Sequence, residues 1–178
     1  PTAFPLDQRS GLFVGDLDGD GVPELIGKDG NDKTAGTSAV RVFSGVNGVH
    51  FQSYTVTNHS YSQVAIANID KDGTGDIFLV NNDATPKLIR LQYNGPSGAI
   101  TEVWTSTAGV ASSQQSPQIA DFDGDGIPEV YVGNYIFNAS DGTLLVNGSG
   151  NSGHLEGIND TWPIAYNIFN EGDLDPDD

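Results

Sequence analysis

Apolar residues along this chain fall into short runs separated by polar segments rich in Gly, Asn and Asp, and the runs come in groups of four. Leu12-Phe13-Val14 and Leu25-Ile26 flank a polar loop, while Val40 to Phe43 and Val49 to Val56 flank a turn over 44–48. The same order returns as Gln63 to Ala67, Ile77 to Val80, Lys87 to Tyr93 and Ile100 to Trp104, with a turn over 94–98. It returns again as Gln118 to Ala120, Val130 to Val132, Tyr135 to Phe137 and Leu144 to Val146, with a turn over 139–142. Short runs with period-two alternation, as at Val64 and Ile66, bounded by Gly and Asn turns, predict β-strands. No apolar period of 3.6 residues lasts long enough for a helix. Ile77 to Val80 is apolar on both faces, as expected of a sheet stacked between two others. Residues 1–10 read as an irregular lead-in, and 29–38, 57–62, 106–117 and 147–161 as connectors.

Between the first and second strand of each group lies the same nine-residue loop, beginning at Asp16, Asn68 and Asp121. The spacings are therefore 52 and 53 residues, and one more period reaches Asp173, where a fourth loop starts and the chain stops. A fixed period of this length marks a repeat architecture. Four short strands per period read as a propeller blade, so the fold class is all-β, with three full blades of four antiparallel strands and the start of a fourth. The blades span about 11–62, 63–116 and 117–161, with the fourth beginning over 162–178.

The loops change the picture from fold to chemistry. Asp16, Asp18, Asp20 and Glu24 stand at positions 1, 3, 5 and 9. Carboxylates curled around one centre repel strongly unless a cation sits among them. Several hard oxygen ligands on a flexible loop suit Ca²⁺, with Gly21 at position 6 supplying the sharp turn and the Val22 carbonyl at position 7 a further ligand.

Seven Lys and Arg stand against 24 Asp and Glu, for a net charge of −17. Such a surface repels nucleic acid and anionic membrane and attracts cations. The absence of Cys excludes disulfides and thiol chemistry. No apolar run approaches the length of a membrane span. The start at Pro1 and the stop inside the fourth loop lead us to expect a piece of a longer chain rather than open sheet edges covered by partner copies.

The motif D-x-D-G-D-G-x-P-E-[LIV], preceded by a small residue and an apolar strand, resembles the FG-GAP/VCBS repeats of integrin-α-type β-propellers. The resemblance implies one Ca²⁺ in each complete loop. Carried over residue by residue, it makes the ligands Asp16, Asp18, Asp20, the Val22 carbonyl and Glu24 in blade one. In blade two they are Asn68, Asp70, Asp72, the Thr74 carbonyl and Asp76, and in blade three Asp121, Asp123, Asp125, the Ile127 carbonyl and Glu129. Blade two departs from the pattern, with Asn at position 1, Thr-Gly in place of Pro, and Lys71 inside the loop, so weaker affinity is expected there. The fourth loop offers Asp173, Asp175 and Asp177 as weaker candidates, lacking positions 7 and 9. Helix-flanked calcium loops are set aside, because position 12 is Gly27, Leu79 and Val132 rather than Glu.

The expected function is an extracellular, calcium-stabilised propeller used for adhesion, recognition or assembly. Its partners would be a protein or glycan ligand, or further blades or copies at the open edges. The alternative is the propeller part of a carbohydrate-active enzyme such as a polysaccharide lyase, some of which are calcium-containing propellers. Catalysis is not expected in this segment. His50, His59 and His154 stand apart with no motif around them, and Trp104 and Trp162 read as blade-packing residues rather than sugar platforms. Four glycosylation sequons occur, at Asn58, Asn138, Asn147 and Asn159, all in expected turns or connectors.

Overall fold

The computed structural model describes residue 6 and residues 11–29, 37–57, 62–113 and 115–148. The expected fourth blade, with Asp173, Asp175, Asp177 and Trp162, lies outside the described residues, as do Asn58, His59, His154 and Asn159.

Among the described residues there is no helix, and twelve strands form three antiparallel four-stranded sheets, each a meander in chain order. Sheet one contains β1 (Leu12–Gly15), β2 (Glu24–Lys28), β3 (Thr37–Ser44) and β4 (His50–Thr57). Sheet two contains β5 (Ala65–Ala67), β6 (Asp76–Val80), β7 (Lys87–Gln92) and β8 (Thr101–Gly109). Sheet three contains β9 (Gln118–Ala120), β10 (Glu129–Val132), β11 (Tyr135–Asn138) and β12 (Leu144–Asn147). This is the arrangement of successive propeller blades.

The alternation of side chains explains the stacking. In the middle sheet Ile77, Leu79, Ile89 and Leu91 pack with Ile26, Val40 and Val42 of sheet one. From its other face Phe78, Val80 and Leu88 pack with Val130, Val132 and Phe137 of sheet three. All five residues of β6 are buried, as the two-faced apolar run requires. Polar contacts cross the same joints: the buried Lys28 ammonium donates to the Ser62 carbonyl at 2.9 Å, and the Gln63 N–H to the Ser116 hydroxyl at 3.0 Å. Trp104 packs beside Phe78 with ring centroids 5.9 Å apart and donates from Nε1 to the carbonyls of Ala139 and Ser140. It is a blade-packing residue, as its sequence context predicts.

Three elements differ from the sequence expectation. Strand β8 continues through Gly109, into the segment read as a connector from Ser106. The Ser106 hydroxyl accepts the Leu88 N–H at 3.1 Å across a bulge, so the polar residue serves the ladder instead of ending it. At the other end, Leu6 of the lead-in forms a bridge to Asp29. Asn138 and Asn147 are the last residues of β11 and β12 rather than turn residues, with the Asn138 Oδ1 accepting the Ser140 N–H at 2.8 Å.

Candidate metal centre

Each loop joins the first strand of a sheet to the second, and its carboxylates are aimed by backbone N–H groups of the loop itself. In loop one, Asp16 accepts the Gly19 N–H at 2.8 Å through Oδ1 and the Gly21 N–H at 2.9 Å through Oδ2. Asp18 accepts from Asp20 at 3.3 Å, and Asp20 from Val22 at 2.7 Å. Loop three repeats the set: Asp121 accepts from Gly124 at 2.8 Å and Gly126 at 2.9 Å, Asp123 from Asp125 at 3.2 Å, and Asp125 from Ile127 at 2.7 Å. Short Asp side chains bonding two residues ahead make such turns intrinsic to the sequence. Position 9 closes each loop from the next strand, where Glu24 Oε2 accepts the Leu17 N–H and Glu129 Oε2 the Phe122 N–H, both at 2.8 Å.

The result is two equivalent acidic clusters. Carboxylate oxygens of Asp16, Asp18 and Glu24 lie within 4.8 Å of one another, and so do those of Asp121, Asp123 and Glu129. Two oxygens on one Ca²⁺, each at roughly 2.3–2.6 Å, are separated by at most about 5 Å, so the spacing fits a shared ion. Asp20 and Asp125 at position 5 are not part of these clusters. Glu24 and Glu129 are buried, while Asp16 and Asp123 are exposed. Burial, and then the charges of Asp18, Asp20 and Asp16, push the Glu24 carboxyl above the usual range, against the pull of the Leu17 N–H. A second group marks the same centre. Tyr93, directly after β7, is wholly buried, and its hydroxyl has no hydrogen-bond partner among the described residues. Burial, and then the charges of Glu24, Asp18 and Asp20, push its pKa up. An all-oxygen donor set beside an orphaned buried hydroxyl is a fit for a hard cation.

Loop two is built differently. Asp76 Oδ2 closes the loop by accepting the Ile69 N–H at 2.9 Å, as at the other position 9 residues. Its Oδ1, however, accepts from Arg90 Nε at 2.7 Å, and Asp70 Oδ2 accepts from the same guanidinium at 2.8 Å. Asp72 is occupied by the Thr74 N–H and hydroxyl, both at 2.7 Å, and by the Gln92 amide at 2.6 Å. Burial pushes the Asp76 carboxyl up despite Arg90 and the Ile69 N–H, which pull it down. Asn68 is exposed, and Thr74 is half-buried. Lys71 adopts φ 58° where the two sister loops have Gly19 and Gly124 at φ 73°. Sequence reasoning missed Arg90, Gln92 and Tyr93. The available signal for Arg90 was a lone guanidinium inside the apolar run Lys87 to Tyr93.

The loops also touch each other. Leu17 O accepts the Gly75 N–H at 2.6 Å, linking loop one to loop two. Lys71 Nζ reaches Gly126 O at 3.5 Å, linking loop two to loop three. Of the histidines, His50 opens β4 and shares a 2.7 Å contact with Ser53, with its ring edge-on to Phe43.

Residues 68–132 match the FG-GAP-like repeat family. The matched FG-GAP-like segment runs from the first residue of loop two to the last residue of β10, so it holds two of the three loops. No curated protein matches the chain. Among solved structures, the exotype rhamnogalacturonan lyase YesX is similar at 19% identity and a TM-score of 0.58, over 76% of this chain and 29% of that one. The rhamnogalacturonan lyase YesW is similar at the same identity and TM-score, over 76% of this chain and 30% of that one. The V. cholerae biofilm matrix protein Bap1 is similar at 24% identity and a TM-score of 0.56, over 81% of this chain and 25% of that one. The chain thus spans between a quarter and three-tenths of the length of these structures. At such identities the likeness is one of fold. No helix among the described residues is long and apolar enough to cross a membrane.

Proposed function

We propose that this chain is a calcium-stabilised propeller segment of an extracellular protein, used for adhesion, recognition or assembly. The observation that carries the reading is the pair of acidic clusters built from the same three loop positions in sheets one and three. The FG-GAP-like match supports it, as does a fold shared with a biofilm matrix protein. Asp16, Asp18 and Glu24 would hold one ion, and Asp121, Asp123 and Glu129 another, with the Val22 and Ile127 carbonyls as further ligands. Bound there, Ca²⁺ supplies the positive charge that the clustered carboxylates lack. The role is structural. Glu24 already joins the start of β2 to the Leu17 N–H, so holding Glu24 together with Asp16 and Asp18 pins the first strand to the second. The acidic surface, with its net charge of −17, disfavours nucleic acid as a partner and leaves a protein or glycan ligand, or further blades or copies.

Native mass spectrometry with and without a chelator tests this. Bound Ca²⁺ that is lost on chelation, together with a lowered unfolding temperature, is the expected result. A folded chain that takes up no Ca²⁺ at millimolar supply overturns it. Cleavage of a uronic-acid polysaccharide by the same preparation would instead favour the carbohydrate-active alternative, whose fold two rhamnogalacturonan lyases share.

A further inference from the structure

The middle loop departs from its sisters in a way that assigns it a different chemistry. Its three carboxylates are all engaged by the chain's own donors, two by one guanidinium and one by Thr74 and Gln92. Position 1 is Asn68, which brings no charge. Position 9 is Asp76 where the sister loops have Glu24 and Glu129, so its carboxylate is drawn back by one methylene. Arg90 Nε meets that carboxylate at 2.7 Å. The register shows what is special about it. Arg90 lies opposite Phe78, two residues beyond Asp76. The matching positions are Val42, opposite Ile26, in sheet one and Ile136, opposite Tyr131, in sheet three. Among the three described sheets, only the middle one places a cation there.

We propose that Arg90 takes the place of the cation in loop two, so that this loop closes without metal. A guanidinium offers planar, divergent N–H donors that match two carboxylates, and it is charged at every accessible pH. Calcium instead needs six to eight oxygens at roughly 2.3–2.6 Å. With Arg90 in position, Asp70 and Asp76 offer few free lone pairs to such an ion, and the guanidinium charge repels it. The third donor nitrogen of Arg90 bonds the Ser140 carbonyl at 3.3 Å, in the turn between β11 and β12. The side chain therefore does two things at once: it neutralises loop two, and it ties sheet two to the next sheet. Arg90 is 3% exposed and Asp76 fully buried, so neither charge tolerates loss of the other.

The inference deepens the calcium reading of the sister loops, and the test separates the two. The background is Asp18→Asn with Asp123→Asn, which disables loops one and three at partly or fully exposed positions. There, equilibrium dialysis should find no bound Ca²⁺, and the urea midpoint should be the same in chelator and in 5 mM Ca²⁺. A remaining bound ion that vanishes on Asp70→Asn overturns the proposal. Adding Arg90→Met should lower the midpoint in chelator, and Ca²⁺ should then restore part of the loss as the vacated carboxylates take up an ion. An unchanged midpoint in chelator also overturns it. If the background does not fold, the parent chain serves: Asp70→Asn should leave its ion count unchanged, and a count reduced by one refutes the assignment. A parent chain that binds no ion at all sinks the calcium reading of loops one and three, while the Arg90→Met midpoint in chelator still judges this one.

Discussion

Glu24→Gln should change sign with calcium. The glutamine keeps an oxygen to accept the Leu17 N–H, so the cap survives and only the charge goes. In chelator Glu24 faces Asp16 and Asp18 with oxygens no more than 4.8 Å away. Two like charges at that distance cost about 0.9 kcal/mol per pair at the dielectric of water, and more in a drier site. Because Asp16 is exposed and Asp18 partly so, the water-like end applies, and two pairs give about 1–2 kcal/mol. Metal-free Glu24→Gln should therefore be more stable than the parent by roughly 1 kcal/mol at low salt. The gain should shrink at about 1 M salt, where the screening length falls to roughly 3 Å. In calcium the order reverses, because the variant has lost a charged ligand. At a free concentration 100-fold above the dissociation constant, a lost site costs about 2.7 kcal/mol. Urea unfolding followed by tryptophan fluorescence reads both, since Trp104 sits in the joint between sheets two and three. The pH dependence carries the same sign. A carboxyl whose folded pKa is raised above 4.5 binds more protons folded than unfolded just above that pH. The metal-free parent therefore loses stability as pH rises from 4.5 through the raised value, and the Gln variant lacks that loss. A variant destabilised equally in chelator and in calcium would refute the argument, because Glu24 would then act only through its packing.

Four further outcomes follow from the structure. Gly124→Ala should cost about 1 kcal/mol, the price of a left-handed backbone alone, because a Cβ there meets nothing within 4 Å among the described residues. Gly19→Ala, at the same loop position and the same φ, should cost clearly more in urea unfolding, because its Cβ would lie 2.9 Å from the Gly73 carbonyl oxygen of the neighbouring loop. Phe78→Ala, wholly buried between sheets two and three, should cost about 3–5 kcal/mol in the same assay, and a cost below about 1 would mean that those sheets do not share a core. Tyr54, whose hydroxyl donates to Glu102 at 2.7 Å, has its pKa pushed up to about 12 by burial and by that carboxylate. The unfolded chain thus releases this proton first, and stability should fall as pH rises from 10 towards 12, with Tyr54→Phe weakening that fall in alkaline unfolding curves.

Much of this protein is legible in the chain itself, because the deciding interactions are local. The Asp side chains of loops one and three bond N–H groups two to five residues ahead, so the loops are written in contiguous sequence. The strands follow from alternation, and the 52–53-residue spacing gives the repeat. What the sequence could not determine is which side chain meets a loop from elsewhere. Arg90 lies 14 residues from Asp76 and 20 from Asp70 along the chain, yet its one guanidinium bonds both, the first buried and the second exposed. Tyr93 feels the charges of the acidic cluster of the preceding sheet, and Trp104 bonds the turn of the following one. Those neighbours are set by strand register and by the stacking of one sheet on the next, and a one-residue slip would turn each of them to the opposite face. Read alone, loop two differs from its sisters by Asn at position 1, a lysine in place of glycine at position 4, Thr-Gly in place of the residue-Pro pair, and Asp for Glu at position 9. In the folded chain it differs by a buried guanidinium, because only tertiary packing places β7 against the loop with Arg90 on the side of the carboxylates.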